Sequence, residues 1–207
     1  LAAVASIFSA RSVQKNLSML KGKLGEKIAA DCVTLVDDPF LKGGMNSSSF
    51  DGEGVATQYK EIIKNGILQT YLHNLKSAGR DNVDSTGNAS RGSYKSTIGI
   101  SPSNFYFKPG EKSVDELMAD IERGILIVEL EGLHSGFNPI SGDFSLPAKG
   151  YLIENGKKTD TVNQITISGN YYKALGKIEA FASDLKFTMG GGIGSPSVVI
   201  ESLAIAG

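Results

Sequence analysis

The stretch from Gly124 to Asn170 decides the fold. It reads Ile125-Leu-Ile-Val-Glu-Leu130, then Gly132-Leu-His-Ser-Gly-Phe-Asn-Pro-Ile-Ser-Gly-Asp-Phe-Ser145, and closes with Ile165-Thr-Ile-Ser-Gly-Asn170. A nearly continuous apolar run is typical of a strand that is covered on both faces, so the first segment is predicted to be a central strand. The glycines and Pro139 that follow indicate a loop.

Two Asn-Gly dipeptides predict β-hairpins, because both residues tolerate the positive φ of a type I′ turn. Asn155-Gly156 separates Tyr151-Leu-Ile-Glu154 from the residues after Lys157. Asn65-Gly66 separates an alternating segment that begins at Thr57 from a predicted return strand, Ile67 to Tyr71. Alternation of apolar and polar residues is the pattern of a half-buried strand.

The remaining elements are predicted from periodicity and capping signals. Leu1, Val4, Ala5 and Phe8 recur at helical spacing, which predicts a helix to about Ala10. Ser113-Val-Asp-Glu116 is a capping box, so a helix from Val114 to about Arg123 is expected, with Gly124 as its C-terminal cap. Asn170 is expected to cap a helix through Leu175 and Ile178. Further strands are predicted at Cys32–Val36, Phe105–Phe107, Ala180–Thr188 and Ser197–Ala204.

These elements together predict an α+β fold, with a mainly antiparallel β-sheet or barrel-like core and a few peripheral helices. The chain has 207 residues, of which 41% are hydrophobic, and a net charge of -1, as in ordinary globular proteins. A pI near 6.2 and the lack of a Lys/Arg-dense run argue against direct nucleic-acid binding or an anionic membrane surface. The single cysteine, Cys32, excludes an internal disulfide and favours a cytoplasmic protein.

The chemistry-bearing residues are sparse. A catalytic zinc site needs three protein ligands, yet the chain has only two histidines, His73 and His134, and neither has a second histidine one helical turn away. Histidines satisfied by ordinary hydrogen bonds are the favoured interpretation. A Ser-His-Asp or Cys-His arrangement stays open, although no Gly-x-Ser-x-Gly elbow supports one. The segment Gly190-Gly-Gly-Ile-Gly194 lacks the lysine of a phosphate-binding loop and is interpreted as a flexible connection.

Several motifs in a fixed order resemble the C-terminal half of the TldD/PmbA family, in its PmbA branch, also called TldE. They are Asp37-Asp-Pro39, Ser85-Thr-Gly-Asn88, Gly142-Asp-Phe-Ser145, Gly150 to Gly156, Ile165 to Asn170, and Ser195-Pro-Ser197 to Gly207. The resemblance covers almost all of the chain. It implies that residues 1–207 are the TldD/PmbA C-terminal domain and that the chain is a fragment of a longer polypeptide without its N-terminal region.

The resemblance also bears on metal binding. TldD-type subunits carry an H-E-x-x-x-H helix that, with a later cysteine, binds the metal of a peptidase, whereas PmbA/TldE-type subunits do not. The matching positions here are Leu1, Ala2 and Ser6, and Phe187-Thr-Met-Gly-Gly-Gly192 offers no cysteine. The resemblance therefore implies no metal, no cofactor and no catalytic residue in this chain.

In the family the two kinds of subunit pair, and the complex degrades small or unfolded peptides and trims a leader from a peptide antibiotic precursor. The chain is accordingly expected to be a non-catalytic subunit, paired with a TldD-type metallopeptidase subunit or with itself, without direct nucleic-acid or membrane contact. The residues predicted to line a peptide chamber are Ser85, Thr86, Gly87, Asn88, Arg91 and His134. The alternative for the segment around Ser85–Asn88 is a surface loop held by its own side chains. The alternatives for the function are a regulator of DNA gyrase and an independently active peptidase.

Overall fold

The computed structural model describes residues 1–188 and 191–207, so Gly190 of the predicted glycine connection lies outside the described residues. A 3-10 helix at Ala2–Phe8 precedes five α-helices: α1 (Ala10–Gln14), α2 (Leu75–Asp81), α3 (Val114–Ala119), α4 (Leu133–Gly136) and α5 (Tyr171–Leu175). The strands are β1 (Leu35–Asp37), β2 (Lys60–Lys64), β3 (Ile67–Leu68), β4 (Ala89–Ser90), β5 (Gly99–Ile100), β6 (Phe105–Phe107), β7 (Arg123–Leu130), β8 (Asp143–Glu154), β9 (Lys157–Asn170), β10 (Ile178–Phe181), β11 (Lys186–Phe187), β12 (Ile193–Ser195), β13 (Val198–Ile200) and β14 (Ala204–Ala206).

The chain divides into two compact units. The first comprises Leu1–Lys108 with Lys186–Ser195, and the second comprises Pro109–Leu185 with Pro196–Gly207. The described strands form four open sheets, and β6 and β12 are the one parallel pair among them. The predicted α+β class with mainly antiparallel sheets is confirmed. Of the two predicted forms of the core, the structure has open sheets and not a barrel.

The first unit is built on a six-stranded sheet in the order β11-β12-β6-β1-β2-β3. Its core contains fully buried side chains from the strands and from the N-terminal helix, among them Phe8, Leu35, Ile62 and Phe105. The predicted hairpin at Asn65-Gly66 is confirmed, because both residues have positive φ, 47° and 79°, between β2 and β3. Strand β2 begins at Lys60 and not at Thr57, and β3 ends at Leu68.

The predicted N-terminal helix is interrupted at Ser9. Ser9 is extended, with φ -75° and ψ 129°, and separates the 3-10 helix from α1. The backbone there pairs with Leu72 instead: Ala10 N donates to Leu72 O at 2.9 Å, and Leu72 N donates to Phe8 O at 2.9 Å. These long-range hydrogen bonds replace the ones that a continuous helix would make.

The second unit is built on a four-stranded sheet in the order β14-β9-β8-β7, dominated by the long β8–β9 hairpin. Asn155 and Gly156 have φ of 50° and 77°, so the predicted turn is confirmed. Leu146, Ala148, Ile165 and Ile167 form the buried cluster of this sheet. A separate two-stranded sheet joins β10 and β13.

The apolar segment Ile125–Leu130 is a strand, but the prediction that it is central is wrong. Strand β7 lies at the edge of its sheet and pairs with β8 alone. Ile125 and Ile127 pack on the buried cluster, whereas Val128 is 61% exposed at a bulge. An apolar run indicates that side chains are buried, but it does not indicate how many strands pair with the backbone.

The helix starts were predicted better than the helix ends. The capping box of α3 is present, with Glu116 N donating to Ser113 Oγ at 3.2 Å. However, the helix ends at Ala119 with Asp120 as its cap, and Gly124 belongs to β7. Asn170 caps α5 as predicted, but Ile178 already lies in β10. In the described ranges, no helix is long and apolar enough to cross a bilayer.

Three predicted strands have other bounds. Strand β1 begins at Leu35, and so Cys32 lies outside it and is exposed. The segment predicted as one strand at Ala180–Thr188 contains the end of β10 and all of β11. The segment at Ser197–Ala204 contains β13 and the first residue of β14. Short strands separated by bends have the same residue preferences as one long strand, and the pattern did not distinguish them.

Candidate functional site

The segment Ser85–Asn88, predicted to line a peptide chamber, is folded onto the backbone of His73. His73 N donates to Thr86 Oγ1 at 2.6 Å, and Asn88 N donates to His73 O at 3.2 Å. The Thr86 hydroxyl also donates to Asn88 Oδ1 at 2.7 Å. Gly87 has φ +67°, and an added Cβ would lie 2.7 Å from Ala56 O, so this position requires glycine.

Asn88 connects this segment to a buried ion pair. Its Nδ2 donates to Asp37 Oδ2 at 2.7 Å, and the same carboxylate oxygen accepts from Lys60 Nζ at 2.9 Å. The other oxygen, Oδ1, accepts from Ser103 N at 2.6 Å. A buried carboxylate is tolerated only when it is paired and hydrogen-bonded, and Asp37 meets both conditions.

Asp37 was recognisable in the sequence only within the motif Asp37-Asp-Pro39, and Lys60 was not predicted to pair with it. The available signal was a carboxylate that directly follows the buried Leu35-Val36. A lysine at the start of a half-buried strand can neutralise such a carboxylate. No spacing rule connects positions 37 and 60, and the pair is visible only in the folded chain.

The six predicted chamber residues fall into different environments. Thr86, Gly87 and Asn88 are buried within the first unit, and Ser85 beside them is half-buried. Arg91, directly after β4, is exposed in the same unit. His134 is exposed on α4, which belongs to the second unit. The structure thus brings residues 85–88 together, and the role of the six residues in a peptide chamber stays a prediction.

His73 is itself buried and in contact with Ser77. Its Nδ1 lies 3.3 Å from Ser77 Oγ, and burial lowers the pKa of the imidazole. The Ser77 hydroxyl is already engaged at the start of α2, where it accepts from Asn74 N at 3.1 Å and Asn74 Oδ1 accepts from Ser77 N. His73 and Ser77 are 4% and 3% exposed. A substrate therefore has no access to this Ser-His pair.

The residues that the resemblance matches to the metal-binding positions of TldD-type subunits do not fit zinc. Leu1 precedes the 3-10 helix Ala2–Phe8, and Ala2 and Ser6 within it are exposed. These side chains supply one hydroxyl and two hydrocarbon groups where imidazole and carboxylate ligands are needed. Within residues 1–188 and 191–207, no group of three or more His, Cys, Asp or Glu residues is placed to hold a metal ion.

The sequence profile of the PmbA/TldA metallopeptidase C-terminal domain matches residues 1–207. The chain belongs to this family. The assignment made from the sequence motifs is confirmed. Among its relatives is the metalloprotease PmbA homolog of Buchnera aphidicola, which is 38% identical over 182 residues, covering 88% of this chain and 38% of the relative.

Two solved structures of the family are similar throughout the chain. A Thermotoga maritima protein named as a candidate modulator of DNA gyrase is 45% identical, with a TM-score of 0.92. TldE from Thermococcus kodakarensis is 29% identical, with a TM-score of 0.90. In both cases the match covers 99% of this chain and 46% of the other one. The chain therefore spans less than half the length of these relatives.

Proposed function

We propose that this chain is the metal-free, PmbA/TldE-type subunit of a TldD/TldE-like proteolytic complex. In this proposal it contributes no catalytic group and helps to bind small or unfolded peptides, while a TldD-type metallopeptidase subunit cleaves them. The single observation that carries the proposal is the presence of Leu1, Ala2 and Ser6 at the positions that the resemblance matches to the H-E-x-x-x-H motif of TldD-type subunits.

Zinc-dependent peptide hydrolysis needs a bound metal to activate water and a base to accept its proton. Ser6 is the one polar side chain at the three matched positions, and a lone exposed hydroxyl does neither. The similarity to TldE over 99% of the chain supports the same branch. The family fold, with no cluster of metal-ligating residues within 1–188 and 191–207, supports a role in binding or assembly.

An independently active peptidase is the first alternative. Among residues 1–188 and 191–207, the Ser77–His73 contact of 3.3 Å is the feature that most resembles a nucleophile and its base. Both residues are more than nine-tenths buried, and Ser77 Oγ is held by the backbone of Asn74. This contact stabilises the start of α2 and supports the non-catalytic proposal over the alternative.

Regulation of DNA gyrase is the second alternative, and the name of the Thermotoga maritima relative favours it. A net charge of -1 is unfavourable for direct DNA contact, so such regulation would act through a protein surface. We further propose a cytoplasmic location, because the single, exposed Cys32 suits a reducing compartment.

Mixing the full-length protein with a purified TldD-type subunit tests the proposal. Cleavage of an unstructured peptide is followed for each protein alone and for the mixture, together with sedimentation to detect dimers. The expected result is a complex, with cleavage that requires both proteins and is lost when the TldD-type metal ligands are replaced. A TldD-type subunit that is fully active alone, with only monomers in the mixture, would overturn the proposal.

A further inference from the structure

One face of the six-stranded sheet in the first unit carries a row of aromatic side chains. Tyr106 of β6 lies opposite Gly194 of β12, and Gly194 lies opposite Phe187 of β11, so the two aromatic residues point to the same face. Tyr59, which directly precedes β2, is connected to this row by Lys108, two residues after Tyr106. The Lys108 Nζ lies 5.8 Å from the centroid of the Tyr59 ring. We call Tyr59, Tyr106 and Phe187 the aromatic patch.

The rings of the aromatic patch are held in place by packing and are still accessible. The Tyr106 and Phe187 rings pack edge to face, with centroids 5.5 Å apart and 68° between their planes. A Cβ at Gly194 would lie 2.9 Å from Cδ1 and Cε1 of Phe187, so the ring rests against this glycine. Phe187 is nevertheless 37% exposed and Tyr59 is 43% exposed. A surface formed before binding loses little conformational entropy when a ligand arrives.

The charged groups around the aromatic patch neutralise one another. The Glu61 carboxylate lies 2.7 Å from Lys108 Nζ and 3.0 Å from Lys64 Nζ. The hydrogen bond between Glu61 and Lys108 lowers the pKa of the carboxyl and raises the pKa of the ammonium, so both stay charged at neutral pH. Burial raises the pKa of the Tyr106 phenol, and the Asp38 charge raises it further. A charged ligand would have to compete with these partners, whereas an uncharged one would not.

Exposed rings on a charge-balanced surface are complementary to another aromatic ring. Edge-to-face and offset contacts between aromatic rings are more favourable than burial of the same apolar area alone. Aromatic side chains also lose little conformational entropy on binding, because they have only two rotatable bonds. We propose that the aromatic patch binds an aromatic side chain of a peptide. The inference rests on the proposed function only for the peptide nature of the ligand, and it gives the complex a preference for unfolded peptides that expose aromatic residues.

Competition binding to the full-length protein tests this inference. The probe is the blocked peptide Ac-Ala-Ala-Phe-Ala-Ala-amide with a fluorine on its ring, and its fluorine NMR line reports binding. The competitors are the unlabelled peptide and two relatives with cyclohexylalanine or lysine in place of phenylalanine. Cyclohexylalanine keeps the apolar ring and removes its aromatic character. The phenylalanine peptide is expected to bind at least ~3-fold more tightly than either relative. Equal affinity of the cyclohexylalanine or the lysine peptide, or no binding of the probe, would overturn the inference.

Phe187→Leu provides the decisive variant, because leucine keeps an apolar side chain beside Gly194 and removes the ring. It should weaken binding of the phenylalanine peptide at least ~3-fold, whereas Phe187→Tyr keeps the ring and should retain the affinity. Tyr151→Leu is the matched control, since Tyr151 is 38% exposed on β8 of the second unit, and it should leave the affinity unchanged. An unaltered affinity in Phe187→Leu, or an equal loss in Phe187→Tyr or Tyr151→Leu, would contradict the inference.

A single-stranded oligothymidine that displaces the probe as effectively as the phenylalanine peptide would assign the rings to base stacking and likewise overturn the inference. These titrations measure binding and need no TldD-type subunit. A failure here is therefore distinguishable from a failure of the cleavage experiment with the mixed subunits.

Discussion

Asp37 and Lys60 form an almost completely enclosed ion pair, with Oδ2 and Nζ 2.9 Å apart and side chains that are 0% and 8% exposed. Asp37→Ala should therefore lower the free energy of unfolding by about 3–5 kcal/mol, because it leaves a buried ammonium unpaired and removes an acceptor from Ser103 N and Asn88. Urea denaturation measures the loss.

Asp31→Ala is the matched control for this prediction. Asp31 pairs with Lys27 at 2.8 Å, but its side chain is 82% exposed, so the change should cost less than about 1 kcal/mol. Equal losses in the two variants would show that burial of the Asp37 pair has no energetic consequence.

Replacing Gly66 tests the first hairpin turn. Gly66 has φ +79°, and an added Cβ would lie 2.4 Å from Ala29 O, so Gly66→Val should cost at least ~1 kcal/mol in the free energy of unfolding. Gly79→Ala is the control, since Gly79 lies inside α2 with no atom near its would-be Cβ, and alanine favours helix. An unchanged denaturation midpoint in Gly66→Val would contradict the turn.

The Tyr171 hydroxyl is buried and has no hydrogen-bond partner among the described residues, and burial raises the pKa of this phenol. Tyr171→Phe should therefore raise the free energy of unfolding by about 1 kcal/mol, because it removes an unsatisfied polar group. Tyr71→Phe is the matched comparison. The Tyr71 hydroxyl donates to Leu20 O, so its loss should destabilise the fold by about 1 kcal/mol. Thermal unfolding measures both variants. Midpoints that shift in the same direction in Tyr171→Phe and Tyr71→Phe would refute the prediction.

Burial of His73 makes stability depend on pH. Because burial lowers the pKa of His73 below 6.5, the folded state binds this proton less readily than the unfolded chain does. The contribution of neutral His73 to the free energy of unfolding is therefore complete above about pH 6.5. It is lost as the pH falls toward the lower pKa that His73 has in the folded state. Denaturation midpoints between about pH 8 and 5 should fall less steeply in His73→Gln than in the unmodified chain. His134→Gln, at the exposed histidine, is the control, and an identical pH dependence in all three proteins would exclude His73 as the source.

Local signals predicted the parts of the fold that local chemistry determines. Asn65-Gly66 and Asn155-Gly156 form the predicted turns, and Ser113 and Asn170 cap the predicted helices, because each feature depends on residues within one turn. The edge position of β7 was missed, since it depends on where the rest of the chain lies. The break at Ser9 was missed for the same reason, because a distant backbone at Leu72 competes with the helix.

In the candidate site too, a local motif was predictable from the sequence and its distant partners were not. The motif Ser85-Thr-Gly-Asn88 was recognisable in the sequence, but its partners His73, Asp37 and Lys60 are brought together only by folding.

Zinc analysis of the separately purified subunits tests the metal-free assignment most directly. After dialysis against a weak chelator, elemental analysis should find no stoichiometric zinc in this protein, because Leu1, Ala2 and Ser6 supply no zinc ligand set. The TldD-type subunit, treated identically, is the positive control and should retain its metal. One tightly held zinc per chain of this protein would contradict the proposed non-catalytic role.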